Sequence, residues 1–235
     1  MNLEIMEKAN ERGITRLCHF TPSRNLVHIA SGSTGILATR RLQENERAAF
    51  NQTDLQRLDG FVEYICCTIE YPNVWFLDKV KDKDILFRDW VILCLRPKYI
   101  WEDKTLFCPR NAAARGGAFV QGGVSGFKSL FEDSVVGTGS RTFRRARTRL
   151  ACCPTDEQAE VLVWDRIPHS DILAVIVSSE TQARNEISRL KLLDVPRNLF
   201  QFIVAPVLFD KNRLHEAIER GDRPAEMLWS KEYGS

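Results

Sequence analysis

PTDEQAEVLVWD, residues 154–165, decides how this chain is read. A polar stretch runs as far as Glu160, and the apolar VLVW follows at once. A short apolar run hemmed in by polar residues reads as a buried strand, so Glu160 stands at a strand mouth. Side chains on a strand alternate between faces, and Gln158 and Glu160 share one face if the strand begins early. A carboxylate held by a rigid sheet is well placed for catalysis. The plainer reading is a strand-end charge left in water, as most charged residues are.

Downstream, the pattern stays regular. DILAVIVSS (171–179) reads as a second strand after a turn at Pro168. Ser179 and Gln182 have the spacing of a capping box and open a helix over 180–193. QFIVAPVLF (201–209) is a third strand, and Asp210 is placed to cap a helix over 211–220. Upstream, WVILCLRP (90–97) and FVEYICCTIEY (61–71, ending in a turn at Pro72-Asn73) read as strands. ITRLCHF (14–20) is a strand behind a helix over 3–11. Ser23 is placed to cap a short helix that turns Leu26, Val27 and Ile29 inward, and GFKSLFED (126–133) has helical spacing. Residues 40–60 are polar without a period, and 110–126 are rich in Gly and Ala, as loops are. The mixture is α+β in one domain, residues 1–235, with no repeat or separating linker.

Composition excludes several classes. The 235 residues are 44% hydrophobic and 27% charged, as in soluble globular proteins. The opening MNLEIMEKANERG lacks a secretory apolar core, and no apolar run approaches the roughly 18 residues of a membrane span. A cytoplasmic location is expected. Seven cysteines without a CxxC pair argue against a zinc ribbon; they read as small core residues. His28, His169 and His215 show no metal-ligand spacing, and no metal is assigned. Walker, Rossmann, GxSxG and HExxH patterns are missing, and GGAFVQGG (116–123) fits no phosphate-binding glycine spacing.

A net charge of +2 does not announce a nucleic-acid binder. Local charge does. Arg141, Arg144, Arg145, Arg147 and Arg149 crowd nine residues with no acid among them, and Phe143 is interleaved. Such a stretch attracts phosphates and offers a ring to an unpaired base; it is equally compatible with a solvated loop or a protein-binding patch. Near the start, CHFTPSRNL (18–26) sets His19 and Thr21 on one strand face with Asn25 close behind, all able to hydrogen-bond a ribose or amide. In NQTDLQRLDG (51–60), Arg57 lies between Asp54 and Asp59. It is either a surface ion pair of little worth or a guanidinium for a pyrophosphate or a developing charge.

Taken in order, HFTPSRNL, NQTDLQRLDG with EYICCTIEYPN, WVIL with FCPRNAAARGGAF, FKSLFED and PTDEQAEVLVWDRIP resemble the DarT family of DNA ADP-ribosyltransferase toxins over residues 12–210. The resemblance implies the ADP-ribosyltransferase fold, a split mixed sheet clamping NAD⁺ in an elongated cleft. It implies that His19, Thr21 and Asn25 help hold NAD⁺, that Arg57 contacts the cofactor or assists removal of the base proton, and that Glu160 is the catalytic glutamate. The arginine stretch, Arg141, Arg144, Arg145, Arg147 and Arg149, would present single-stranded DNA. Gln158 and Glu160 have the Gln-x-Glu spacing of many ADP-ribosyltransferases. Cys67 and Thr68 stand where many relatives carry a serine-rich strand. The family has thymine- and guanine-modifying branches, and EYICCTIEYPN leans toward the guanine branch. Implied partners are single-stranded DNA and a DarG-like macrodomain antitoxin, in a toxin–antitoxin or antiphage system. Two alternatives stand beside this reading: the same fold acting on RNA or protein, and a nucleic-acid-binding module without chemistry.

Overall fold

The structure is a computed structural model that describes residues 1–31, 34–44, 57–81, 88–137, 141–196 and 199–230. In chain order its elements are α1 (Leu3–Glu11), β1 (Leu17–Pro22), α2 (Arg24–Ser31), β2 (Ile36–Leu37), α3 (Thr39–Glu44), β3 (Tyr64–Ile69), α4 (Val74–Lys81), β4 (Trp90–Leu95), β5 (Leu106–Cys108), β6 (Gln121–Gly122) and α5 (Gly123–Ser129). Then come β7 (Ser134–Val136), β8 (Thr142–Arg144), β9 (Glu160–Trp164), β10 (Arg166–Ile167), β11 (Ile172–Val177), α6 (Glu180–Leu192), β12 (Phe202–Val204), α7 (Lys211–Arg220) and β13 (Met227–Leu228).

Nine strands form one sheet in the order β13-β12-β11-β4-β1-β3-β9-β5-β6. Among the described residues only β11 and β12 run parallel, joined through α6; the other neighbours are antiparallel. The sheet is mixed and the class is α+β, as expected. Strand β4 is buried along its whole length, WVILCL, as a central strand covered on both faces must be.

The decisive feature lies between β1 and β3. They share only two register pairs, Leu17↔Ile69 and Cys18↔Thr68. Past Cys18, β1 continues along β4 alone as far as Pro22↔Trp90, while β3 continues along β9 from Cys67↔Val161 to Tyr64↔Trp164. The sheet splits there, and side chains from both lips face the gap.

Local chemistry fixes the elements around the split. Ser179 Oγ accepts from the Gln182 N–H and Asp210 accepts from Asn212 and Arg213, so α6 and α7 begin where expected. The Gln182 side chain, though, turns to Ser178 and to the Trp90 carbonyl instead of closing a reciprocal box. Strand β1 begins three residues later than predicted, and α5 begins at Gly123 and stops at Ser129. Helix α4 is not anticipated at all: past Pro72, Asn73 Oδ1 accepts the Phe76 N–H at 3.0 Å and caps it. Helix α3 likewise occupies part of the expected loop; residues 45–56, with Asp54, lie outside the described ones. Six of the seven cysteines are buried, Cys66 is half-buried, and all are free thiols.

Candidate active site

A cleft of about 870 Å³ opens at the split, within the range of pockets that enclose a small molecule. Strand β1 contributes His19 and Thr21, the first turn of α2 Asn25, β3 Cys66 and Cys67, and β9 Gln158 and Glu160 at its mouth. Arg57, Asn73, Trp90, Arg110 and Asn111 complete much of the wall. PTDEQAEVLVWD and CHFTPSRNL thus supply opposite lips and meet in one cavity.

Glu160 is 7% exposed, so it is not a solvated strand end. Its Oε1 accepts the Asn111 side-chain N–H at 3.1 Å, and its Oε2 faces the Ala112 N–H at 3.3 Å. These bonds follow from strand register. Cys108 lies opposite Glu160, and the chain leaving β5 at Cys108 carries residues 111 and 112 past the carboxylate. Asn111 escaped the sequence reading because only the β5–β9 pairing brings it here. The turn ahead of Glu160 is set by Asp156, whose Oδ1 accepts the Gln158 N–H at 2.9 Å. Burial raises the Asp156 carboxyl above its ordinary range, and Oδ2 has no partner among the described residues.

On the facing lip, His19 Nδ1 is 2.9 Å from the Cys66 carbonyl. A carbonyl only accepts, so Nδ1 carries the hydrogen and Nε2 is left as an acceptor. Burial lowers the His19 pKa, the Arg57 charge acts in the same direction, and the Cys66 hydrogen bond opposes both. Asn25 donates to Thr21 Oγ1 at 2.9 Å, joining the remaining two expected cofactor residues into one pair.

Arg57 is no surface ion pair. It is 9% exposed, and its fork meets Asp59 twice, at 3.0 Å and 2.9 Å. It also donates to the Tyr64 carbonyl at 2.7 Å and to that of Phe61. Its backbone is left-handed, with φ 37°, a conformation that non-glycine residues hold only when their surroundings fix it. Gly117 explains the glycine-rich run: its φ is +84°, and a Cβ there would lie 2.6 Å from the Asp59 carbonyl. The glycine lets that loop back onto the Arg57–Asp59 turn.

The arginine cluster divides. Arg141 and Arg144 are exposed on the β7–β8 hairpin, with the Arg141 guanidinium 4.9 Å from the Phe143 ring centre, and Arg147 is exposed just beyond. Arg145 instead donates to the carbonyls of Leu150, Ala151 and Cys153. The Arg149 side chain is 2% exposed, ion-paired with Glu219 of α7, and donates from Nε to the Pro154 carbonyl at 2.7 Å. Of the five arginines expected to present DNA, Arg141, Arg144 and Arg147 are exposed, while Arg145 and Arg149 turn their guanidinium groups to backbone carbonyls. Glu157, His215 and Glu219 place ligand atoms within 4.8 Å of one another, but Arg149 pairs with both glutamates and already supplies the local positive charge.

The cleft suits a polar dinucleotide. Asn73 Nδ2 and Trp90 Nε1 on its wall are buried donors without partners among the described residues, groups that a bound ligand's oxygens would satisfy. Burial raises the Cys66 and Cys67 thiols, with Glu160 adding to the effect, so neither is a thiolate nucleophile. Among the described residues, no helix is long and apolar enough to cross a membrane.

Solved structures share this architecture. Thermosipho africanus DarTG in complex with ADP-ribose superposes with TM-score 0.56 at 18% identity, over 83% of this chain and 51% of that one. The chain thus spans about half of that protein. Thermus sp. 2.9 DarT in complex with NAD⁺ gives TM-score 0.50 at 15% identity, over 79% of this chain and 97% of that one. The same protein in complex with ADP-ribosylated ssDNA gives 0.51 at 12% identity, over 80% and 97%. No curated protein matches the chain. Residues 18–207 match the sequence model of the family described as ssDNA thymidine ADP-ribosyltransferase, DarT, and with the split sheet and its cleft carboxylate in place the chain belongs to that family.

Proposed function

We propose that this protein transfers ADP-ribose from NAD⁺ to thymine in single-stranded DNA. The observation that carries the proposal is Glu160, fixed by Asn111 and Ala112 at the mouth of a cleft whose far lip presents His19, Thr21 and Asn25. The family description names thymidine and Thermus DarT has been solved with ADP-ribosylated ssDNA, so the proposal takes thymine over the guanine expected from EYICCTIEYPN.

In this reading the β1 lip and Asn25 hold the dinucleotide, with the His19 Nε2 lone pair accepting from a ribose hydroxyl or amide. The bond from the ribose anomeric carbon to nicotinamide breaks, and its electron pair leaves with nicotinamide. Glu160 orients the 2′-hydroxyl and stabilises the oxocarbenium-like sugar. Thymine N3 then bonds to the anomeric carbon and releases its proton to solvent. Arg57, held by Asp59, supplies a fixed positive charge beside that step. Single strands spare the few kcal/mol of unstacking and unpairing that a duplex base would cost. Arg141, Arg144 and Arg147 guide the phosphates. Arg145 and Arg149 shape the loop that carries them.

A DarG-like macrodomain that removes the modification would complete a toxin–antitoxin or antiphage pair, as the Thermosipho africanus DarTG likeness suggests. The test is mass spectrometry of nucleosides from a single-stranded oligonucleotide incubated with enzyme and NAD⁺. ADP-ribosyl-thymidine is expected, and Glu160→Ala should abolish it while leaving DNA binding nearly intact. Labelling of RNA or protein alone would reject the reading, as would binding of single strands without NAD⁺ consumption.

A further inference from the structure

We infer that Arg110 is a specificity-determining residue that hydrogen-bonds a carbonyl oxygen of the acceptor base; the inference rests on the proposed DNA-base transfer. Arg110 is 7% exposed and lines the cleft. Its Nη1 donates to the Val136 carbonyl at 2.9 Å. Among the described residues its Nε is buried without a hydrogen-bond partner and the guanidinium forms no ion pair. Burying a guanidinium with donors unmet is costly, and such a group persists where a ligand completes it.

Position selects the ligand. Arg110 lies two residues beyond Cys108, the register partner of Glu160, and directly before Asn111, which bonds Glu160. Through Val136 it also grips the β7 strand of the arginine hairpin. It therefore joins the DNA-facing hairpin to the carboxylate at which the sugar cation forms. Thymine N3 is flanked by two carbonyl oxygens, and both gain negative charge as N3 loses its proton. A guanidinium donor there aligns N3 and stabilises that charge where water is excluded. Asp156, whose Oδ2 is also unpartnered, feels the Arg110 charge without occupying its Nε.

The test is a cycle between protein and base. Wild type, Arg110→Lys and Arg110→Gln would each be given NAD⁺ and a single-stranded oligonucleotide carrying thymine, or thymine analogues lacking O2 or O4. Both variants should lose on the order of 100-fold in kcat/KM for thymine transfer, with the NAD⁺ KM changing far less. One analogue should cost wild type heavily and the variants little. Equal losses from each analogue in all three proteins would overturn the inference in favour of a phosphate contact. A raised NAD⁺ KM would overturn it in favour of a pyrophosphate contact. Unchanged transfer in both variants would dismiss Arg110 altogether. Thermal melting in parallel identifies a misfolded variant, and Arg110→Lys, which retains the charge, then carries the comparison. A wild type that never modifies DNA would instead reject the proposed function itself.

Discussion

His19 stands in the cleft wall with its Nδ1–H committed to the Cys66 carbonyl, and burial beside Arg57 disfavours its charged form. Its folded pKa lies below the ordinary 6.5. Below about pH 6.5 the unfolded chain takes up a proton that the folded chain refuses. Stability contributed by neutral His19 is thus complete above that pH and is lost as pH falls toward the folded pKa. His19→Gln removes the titration, so its melting temperature should fall less steeply than wild type's between neutral pH and about pH 5. Parallel slopes would show that His19 is not held neutral. In the proposed role, holding the dinucleotide away from the breaking bond, the ring serves binding, and the same variant should raise the KM for NAD⁺ more than it lowers kcat. At this scale the sequence picks out residues that the fold brings together: Glu160, His19, Thr21, Asn25 and Arg57 all line the cleft. What sequence spacing concealed was their depth. Arg57 looked like half of a surface pair, and only the return of residues 57–64 around its guanidinium shows why it is buried.

At the scale of elements, α7 and α4 hold the approach to Glu160. Arg149 pairs with Glu219 of α7 and reaches the Pro154 carbonyl. Glu157 accepts from Trp75 of α4 at 2.9 Å and from His215 of α7 at 2.5 Å. Three residues after Glu157, Glu160 opens β9. Removing one partner of a buried ion pair leaves the other uncompensated and costs about 3–5 kcal/mol. The Glu219 side chain is 28% exposed and Glu157 keeps Trp75 and His215, so Arg149→Met should lower unfolding stability by less than that, about 1–3 kcal/mol, in urea titration. Glu157→Gln, which keeps an acceptor for Trp75, should leave stability within about 1 kcal/mol of wild type. Its effect should be a drop in kcat as the turn before Glu160 loosens. These links explain where reading by pattern stopped. The strands β4, β9 and β11 and the helix starts at Ser179 and Asp210 are local in origin and were legible. Helix α4 was not, since the pair Pro72-Asn73 signals a turn and a helix cap alike. Asn111 and the inward turn of Arg145 and Arg149 depend on contacts distant in sequence.

For the whole molecule, one sheet does two jobs because it splits. Leu17↔Ile69 and Cys18↔Thr68 bind its halves at one end, and beyond them both lips face one cleft; in the proposed function the β1 lip takes the dinucleotide and the β9 lip meets the acceptor. The arginine hairpin stands on the acceptor side, tied to it by Arg110 through Val136. With a net charge of only +2, DNA affinity has to come from this local field. Each phosphate neutralised on a single strand contributes about 0.7 to the slope of log affinity against log salt. Arg141, Arg144 and Arg147 are exposed, whereas Arg145 and Arg149 are spent on internal carbonyls and carboxylates. Replacing Arg141 and Arg144 with Ala should thus flatten the slope by roughly 1.4 if each meets one phosphate, with melting temperature unchanged. Arg145→Ala should do the reverse, lowering the melting temperature and leaving the slope near wild type. Salt titrations of fluorescein-labelled single strands by anisotropy measure both quantities. If the slope followed Arg145 and ignored Arg141 and Arg144, the DNA would have to run along the inner side of the hairpin, and the outward path proposed for it would be wrong.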